Sequence, residues 1–346
     1  MQTSINKTKF SIIQNINIIK KSKNKSKIFL SILISLLIVL IVAKPNLCIN
    51  SIYNGLSVWA KCVVPSLLPF MFFTRLLTNL NFISKLTSKT YKLNKFLFNA
   101  PKISSYIFLM SIISGYPIGA KLISEYHKMG IITTKQANKL CTFCSTSGPL
   151  FIIGSVGTAL LLSAKLGYIM LISHIFGSVL NGILYRKFYI DKTEIFFENN
   201  DESKDILQNS MKDSILSVLV VGGYIAIAFL VIDLFNNLEI LSPLNFVFEK
   251  LLNLFGIEGA SSAVSSGILE VSKGAVMLSK LNLSLLSKGV IASFLIGFGG
   301  ISVFLQGATF LTSAKVNMKF YLLQKLTHGI LSAVICFVLC VIFKIT

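Results

Sequence analysis

Residues 28–43 are 16 consecutive positions without a charge and almost without a polar group. Such a run is at home in the hydrocarbon of a bilayer, where a segment must satisfy its own backbone by coiling into a helix. Further apolar runs occupy about 55–80, 149–164, 166–185, 214–235 and 326–343. Only 13% of the 346 residues carry charge, against about 25% in ordinary soluble domains. Mean hydropathy is +0.75. This balance excludes a disordered chain, a collagen-like chain and a small disulfide scaffold, and it argues strongly against a soluble globular enzyme. The expectation is an all-α polytopic membrane protein.

The net charge of +20 comes from 33 Lys and Arg against 13 Asp and Glu. The excess flanks apolar runs, which points to positive-inside topology and anionic lipid, with no nucleic acid as partner. Residues 1–27 hold seven Lys and no acid, and no acidic residue occurs before Glu125. No A-x-A cleavage site follows the run 28–43, so it reads as an uncleaved anchor with its N-terminus in the cytoplasm. At about 1.5 Å per residue such a helix reaches about 24 Å, and Lys27 and Lys44 can snorkel to the interfaces. The run 55–80 then returns to the cytoplasm, where Lys85, Lys89, Lys92, Lys95 and Lys102 follow. Residues 186–213 carry seven of the 13 acids and read as a soluble linker. The expected organisation is therefore a basic segment 1–27, a first membrane half 28–185, the linker 186–213 and a second half 214–346. Residues 240–258 read as an amphipathic, interfacial segment.

Other apolar runs are too short to span and stop at Gly or Pro. Ile103–Ile113 breaks at Ser114-Gly115-Tyr116-Pro117, and Ala137–Thr146 breaks at Ser147-Gly148-Pro149. Ala260–Leu269 gives way to a polar stretch from Glu270 to Lys280, and Gly289–Phe298 ends at Gly299-Gly300. At an offset of 152, Ser114, Gly115, Lys121, Lys128 and Gly148 meet Ser266, Gly267, Lys273, Lys280 and Gly300. Paired, interrupted apolar segments in two halves are a pointer to a transporter binding site. The expected fold is thus two pseudo-symmetric repeats of inverted topology with discontinuous helices. Packing glycines within ordinary spanning helices are the alternative.

Broken helices offer free N–H groups and partial positive charge, which suit an anion. Candidate substrate contacts are Ser114, Gly115, Pro117, Lys121, Ser145, Ser147, Gly148, Pro149, Glu270, Lys273, Gly299, Gly300, Ser302 and Gln306. Lys121 and Lys273 would supply charge. Glu270 and Lys273, three residues apart, could share a helix face and offset each other; a purely structural pair is the alternative. His174 and His328 lie inside apolar runs, where interhelical hydrogen bonding is the simpler role than a proton relay. The six cysteines, Cys141 and Cys144 in C-x-x-C spacing among them, sit mostly in apolar surroundings and read as packing residues, not as a metal site. No P-loop, H-E-x-x-H, G-x-S-x-G or paired-carboxylate signature occurs, so neither an enzyme nor a cofactor is expected.

Three strings carry a family resemblance: Ser114 to Lys121 (SGYPIGAK), Phe143 to Gly154 (FCSTSGPLFIIG) and Gly297 to Gln306 (GFGGISVFLQ). With Pro65 to Phe70 and Glu270 to Gly274, they resemble the YlbJ (SpoVV) family of sporulation integral membrane proteins. That family is related to the nucleoside-recognition Gate domains of nucleoside and ferrous-iron transporters. The resemblance covers about residues 30–345. It implies a role in an endospore-forming bacterium, moving dipicolinate, a small aromatic dianion, across the outer forespore membrane. The chain departs from the family pattern at Ser145, often Asn, and at Phe304-Leu305, where a more polar pair is expected. Ion-coupled nucleoside uptake and a membrane scaffold that moves nothing are the alternative functions.

Overall fold

Glycines, prolines and capping side chains decide where the apolar runs become helices. The computed structural model describes residues 27, 28, 30–79, 82–191, 193 and 205–345, without the side chains of 78, 79 and 82–88. The basic segment before Lys27 and residues 192 and 194–204 of the acidic linker lie outside the described residues. The chain divides into two units, Met1–Asn50 and Ser51–Thr346.

The first unit contains the apolar helix α1 (Leu30–Ala43) and the start of α2 (Pro45–Val58). Pro45 opens α2, where its missing N–H costs no hydrogen bond. A π-helical turn (Trp59–Val63) leads from α2 into α3 (Val64–Asn79). The result is one apolar run, Pro45–Leu77, ten residues longer at its start than the expected 55–80. Pro69 sits inside α3 and does not end it, as proline is tolerated in membrane helices.

α4 (Phe82–Phe98) is followed by three short helices, α5 (Ser104–Ser114), α6 (Ile118–Lys128) and α7 (Thr134–Cys141). A π-helical stretch (Phe151–Leu160) precedes α8 (Ala164–Leu184). The expected span over 149–164 is corrected here. Ser163 accepts a hydrogen bond from the Leu166 amide and caps a new helix, so the element before it is too short to cross hydrocarbon about 30 Å thick. α9 (Ile206–Asn237) begins inside the expected linker, and α10 (Ser242–Asn253) occupies the amphipathic segment. Then come α11 (Ser261–Leu269), α12 (Val271–Ser279), α13 (Leu285–Phe298), α14 (Gly300–Leu311) and α15 (Met318–Ile342).

Five runs among the described residues are long and apolar enough to cross a membrane: Pro45–Leu77, Ala164–Leu184, Ile206–Asn237, Leu285–Leu311 and Met318–Ile342. α15 shows how one such helix is built. Ile330, Val334, Phe337, Val338 and Val341 are exposed, an apolar face suited to lipid. Tyr321, Lys325, His328, Ser332, Cys336 and Cys340 are buried on the other face at helical spacing. Small residues let its neighbours close in. A Cβ on Gly177 of α8 would stand 2.5 Å from Ser332 Oγ, and one on Gly297 of α13 would stand 2.8 Å from Gly329 Cα. These close approaches fix α8, α13 and α15 as the bundle against which the interrupted helices rest.

Candidate functional site

Four interruptions define the centre of the larger unit. α5 ends at Gly115, whose φ of +77° suits only a residue without Cβ, and a cis Tyr116–Pro117 bond leads into α6. The second interruption, Phe143 to Gly148, lies against the first. A Cβ on Gly119 would fall 1.7 Å from the Cys144 carbonyl oxygen. Further along the chain, Glu270 breaks α11 from α12 in extended conformation (φ −145°, ψ 115°). Gly299 and Gly300 (φ +80° and +76°) break α13 from α14. A Cβ on Gly300 would meet the carbonyl oxygens of Gly267, Ile268 and Leu269 at 3.1–3.3 Å. The start of α14 thus sits on the end of α11. Gly115 marks a break, whereas Gly267, its match at offset 152, lies within α11. Gly148 and Gly300, a second pair at this offset, both mark interruptions, so the offset aligns one pair of breaks and not the other.

Between these elements lies a cavity of about 50 Å³. Tyr116, Ser147, Glu270, Ser272 and Gln306 bring polar atoms to its wall, and Val63, Leu67, Phe151, Val221, Ile225 and others close it. That volume admits a few waters and not an aromatic dianion. Of the sequence candidates, Ser147, Glu270 and Gln306 line it. Ser302 lies just behind, accepting from Gln306 Nε2 at 3.3 Å. Ser114, Gly115, Pro117, Ser145, Gly148, Pro149, Gly299 and Gly300 form the surrounding interruptions without lining the cavity. Ser114 bonds Thr74, and Ser145 Oγ is 2.9 Å from the Tyr321 hydroxyl.

The expected Glu270–Lys273 pair does not form. Glu270 is the residue before α12, not a member of it, so the helical i,i+3 relation does not apply. Its Oε1 accepts from the Ser272 amide at 3.0 Å and hydroxyl at 2.6 Å, while Oε2 makes no hydrogen bond. Lys273 instead pairs with Asp233 of α9 at 2.5 Å and lies 4.7 Å from the Phe229 ring centroid. Lys121 donates to Ser217 Oγ at 3.1 Å. Beside it, Arg75 pairs with Glu125 at 2.7 Å and Asp213 at 3.5 Å. Neither lysine reaches the cavity wall.

The cation that does sit among the interruptions is Lys325 of α15, only 1% exposed. Its Nζ donates to the Tyr116 hydroxyl at 2.5 Å and the Ser145 carbonyl at 3.3 Å. It also lies 4.0 Å from the Tyr116 ring centroid. Among the described residues it has no carboxylate partner. Sequence reasoning missed it by starting the last span at Leu326. The signal was present as a stripe of Tyr321, Lys325, His328 and Ser332 at spacings that place all four on one helix face.

The two intramembrane histidines meet. Their ring centroids are 4.6 Å apart. His174 Nε2 accepts from the Ser147 amide at 2.8 Å, and His328 Nε2 donates to the His174 carbonyl at 3.0 Å. All six cysteines are free. No cluster of three or more His, Cys, Asp or Glu capable of holding a metal ion occurs among the described residues.

Fold and site together define an all-α polytopic membrane protein whose interrupted helices enclose a buried polar centre. The chain is 26% identical over 318 residues to the sporulation integral membrane protein YlbJ of Bacillus subtilis (strain 168), covering 85% of this chain and 78% of that protein. No family model matches the chain. Among solved structures it is similar to a CNTnw variant in its intermediate 1 state, with 15% identity, a TM-score of 0.47 and coverage of 78% of this chain and 75% of the other.

Proposed function

We propose that this chain is a sporulation membrane protein of the YlbJ kind that transports a small anion, dipicolinate, across the outer forespore membrane. In this reading its N-terminus faces the cytoplasm, and its two halves are Gate-like repeats of inverted topology. The observation that carries the reading is the placement of buried Lys325, without a carboxylate partner among the described residues, on the Tyr116 and Ser145 interruptions. An ionisable residue kept inside a membrane at that energetic cost marks a substrate or ion path. Free N–H groups at the interrupted helices add to its attraction for an anion. Glu270, an acceptor that gives one oxygen to Ser272 at the start of α12, does not attract an anion, and in this reading the anion binds on the Lys325 side. The cavity of about 50 Å³ is a closed form in this reading. Carrying an aromatic dianion requires the interrupted helices to part, as rigid pieces of transporters do around a fixed site.

The test is dipicolinate in mother-cell and forespore fractions of a strain lacking the gene, complemented with the wild type or with Lys325→Met. Accumulation in the mother cell with depleted spores, cured only by the wild type, is the expected result. Normal spore dipicolinate in the deletion strain removes this substrate. Uptake competition by nucleosides in vesicles would then separate a nucleoside carrier from a scaffold that moves nothing.

A further inference from the structure

We propose that Asp213 and Asp233 of α9 are positioning residues that clasp α6 and α12 at opposite membrane faces, and that transport opens one clasp at a time. The proposal rests on the reading above that the chain carries a solute between the two faces, and not on which solute it carries.

The length of α9 separates its two acids. Asp213 and Asp233 bracket residues 214–232, which carry no charge. The 20 residues from one to the other rise about 30 Å as helix, the thickness of a hydrocarbon core. When α9 crosses the membrane, its two carboxylates therefore reach opposite interfaces. Arg75, beside Asp213, lies near the end of α3, shortly before Lys89, Lys92 and Lys95 of α4. After Asp233 come residues 238–259, with three acids and one lysine. This bias of lysine puts the Asp213 end in the cytoplasm and the Asp233 end on the other side.

Each end holds one interrupted helix. At the first, the Arg75 guanidinium joins Glu125 of α6 to Asp213 at 2.7 and 3.5 Å, and Lys121 of α6 donates to Ser217 Oγ at 3.1 Å. At the second, Lys273 of α12 pairs with Asp233 at 2.5 Å. Lys121 and Lys273 are the lysines that match at offset 152, so equivalent positions of the two halves are tied to opposite ends of one helix. Both ties lie close to the cavity wall. Lys121 is one turn beyond Pro117, whose neighbour Tyr116 lines the cavity. Lys273 directly follows Ser272, which lines it too. Withdrawing α6 or α12 from α9 therefore parts the wall from one side, a movement of one piece against another of the kind that alternating access uses. The ion pairs are also of a kind that can part. Their side chains are 12–50% exposed, so water reaches the charges as they separate, whereas breaking a fully buried pair leaves an uncompensated charge. Each clasp sets which face is open at rest and leaves the Lys325 contacts untouched.

The experiment uses the full-length protein in right-side-out and inverted membrane vesicles, with a membrane-impermeant maleimide and the labelling of the native cysteines subtracted. Lys212→Cys and Asn237→Cys report the two ends of α9. The first is labelled from the cytoplasmic face alone and the second from the other face alone. Labelling of both from one face overturns the proposal even if no clasp variant folds. Val303→Cys reports the cavity wall. With both clasps intact it reacts slowly from either face. Asp233→Asn raises its rate several-fold from the non-cytoplasmic face alone, and Asp213→Asn with Ser217→Ala does so from the cytoplasmic face alone. Exchanging the charges, Lys273→Asp with Asp233→Lys, returns the rate to that of the intact clasps. No rise with either variant, or a rise at both faces with one of them, overturns the clasps. Labelling needs no solute, which keeps this idea distinct from the function it rests on. Face-specific opening without dipicolinate transfer overturns the substrate alone. Dipicolinate transfer with labelling that ignores the clasps overturns the clasps alone.

Discussion

Gly115 and Gly148 stand so close that a Cβ on Gly115 would come within 2.4 Å of the Gly148 amide nitrogen. Two interruptions 33 residues apart in sequence are thereby locked together, and Gly130 provides an internal control. Gly130 has nearly the same φ (+73° against +77°), yet a Cβ there would meet nothing within 4 Å. Gly130→Ala therefore carries only the left-handed backbone strain, about 1–2 kcal/mol. Gly115→Ala carries a further strain, because its ψ of −169° at positive φ is open essentially to glycine alone, plus overpacking against backbone that has nowhere to go, about 1–3 kcal/mol more. Thermal unfolding in detergent should rank Gly115→Ala well below Gly130→Ala. Equal melting temperatures would show that the two interruptions do not depend on each other.

The placement of three lysines makes a contrast that transport can read. Lys121 and Lys273 have partners away from the cavity wall, whereas Lys325 sits on the interruptions. A hydrogen bond from a charged donor is worth about 1.5–3 kcal/mol, or about ten- to a hundredfold in affinity. Lys325→Met should cut dipicolinate transfer to the forespore by that order at matched protein level. Lys121→Met and Lys273→Met should retain most of it. A loss with Lys273→Met equal to that with Lys325→Met would return the charge to the position that helical spacing first suggested.

The same contrast shows what could be read from the chain. Gly115, Pro117, Gly299 and Gly300 announce interruptions because left-handed backbone and missing N–H groups are local properties of the residue. The long apolar runs announced membrane helices for the same reason. The start of α15 was harder, because a hydropathy window stops at Lys325 while the helix itself begins at Met318. There Asn317 Oδ1 accepts from the Lys319 and Phe320 amides and caps the first turn. The partner of Lys273 was out of reach, since Asp233 arrives from α9, 40 residues away, and only tertiary packing selects it over Glu270. The contact of Gly115 with Gly148 was equally hidden, because each looks like an ordinary break alone.

Asp191, beyond the end of α8, gives a prediction in pH. Its carboxylate accepts from Thr133 Oγ1 at 2.6 Å, the Thr193 amide at 3.0 Å and Thr193 Oγ1 at 2.7 Å. These hydrogen bonds, that of Thr133 foremost, hold its carboxyl below the usual range. A depressed folded value means that the contribution to stability is full above the unfolded value, about 3.9. It is lost as pH falls through the folded one. Thr133 also caps α7 in a reciprocal bond with Gln136, so the loss should loosen the start of that helix. Between about pH 5 and pH 3, wild-type melting temperature should fall more steeply than that of Asp191→Asn. Parallel curves would remove Asp191 from the acid sensitivity.

Arg75 carries the last prediction, because it joins three helices with one guanidinium. Nη2 and Nη1 donate to the two oxygens of Glu125 on α6 at 2.7 and 3.2 Å, and Asp213 on α9 lies 3.5 Å away. The arrangement is bidentate, a geometry that lysine cannot reproduce. The Arg75 side chain is 17% exposed and that of Glu125 is 30% exposed, so the pair lies between a surface bridge worth under about 1 kcal/mol and a buried one costing about 3–5 kcal/mol to break. A double-mutant cycle of Arg75→Met and Glu125→Gln on denaturant unfolding should give a coupling of about 1–2 kcal/mol. Arg75→Lys should recover less than half of the loss caused by Arg75→Met, since one ammonium meets one oxygen at a time. Additive single effects, or full rescue by lysine, would show that α3, α6 and α9 are held by packing and that the charges only decorate the contact.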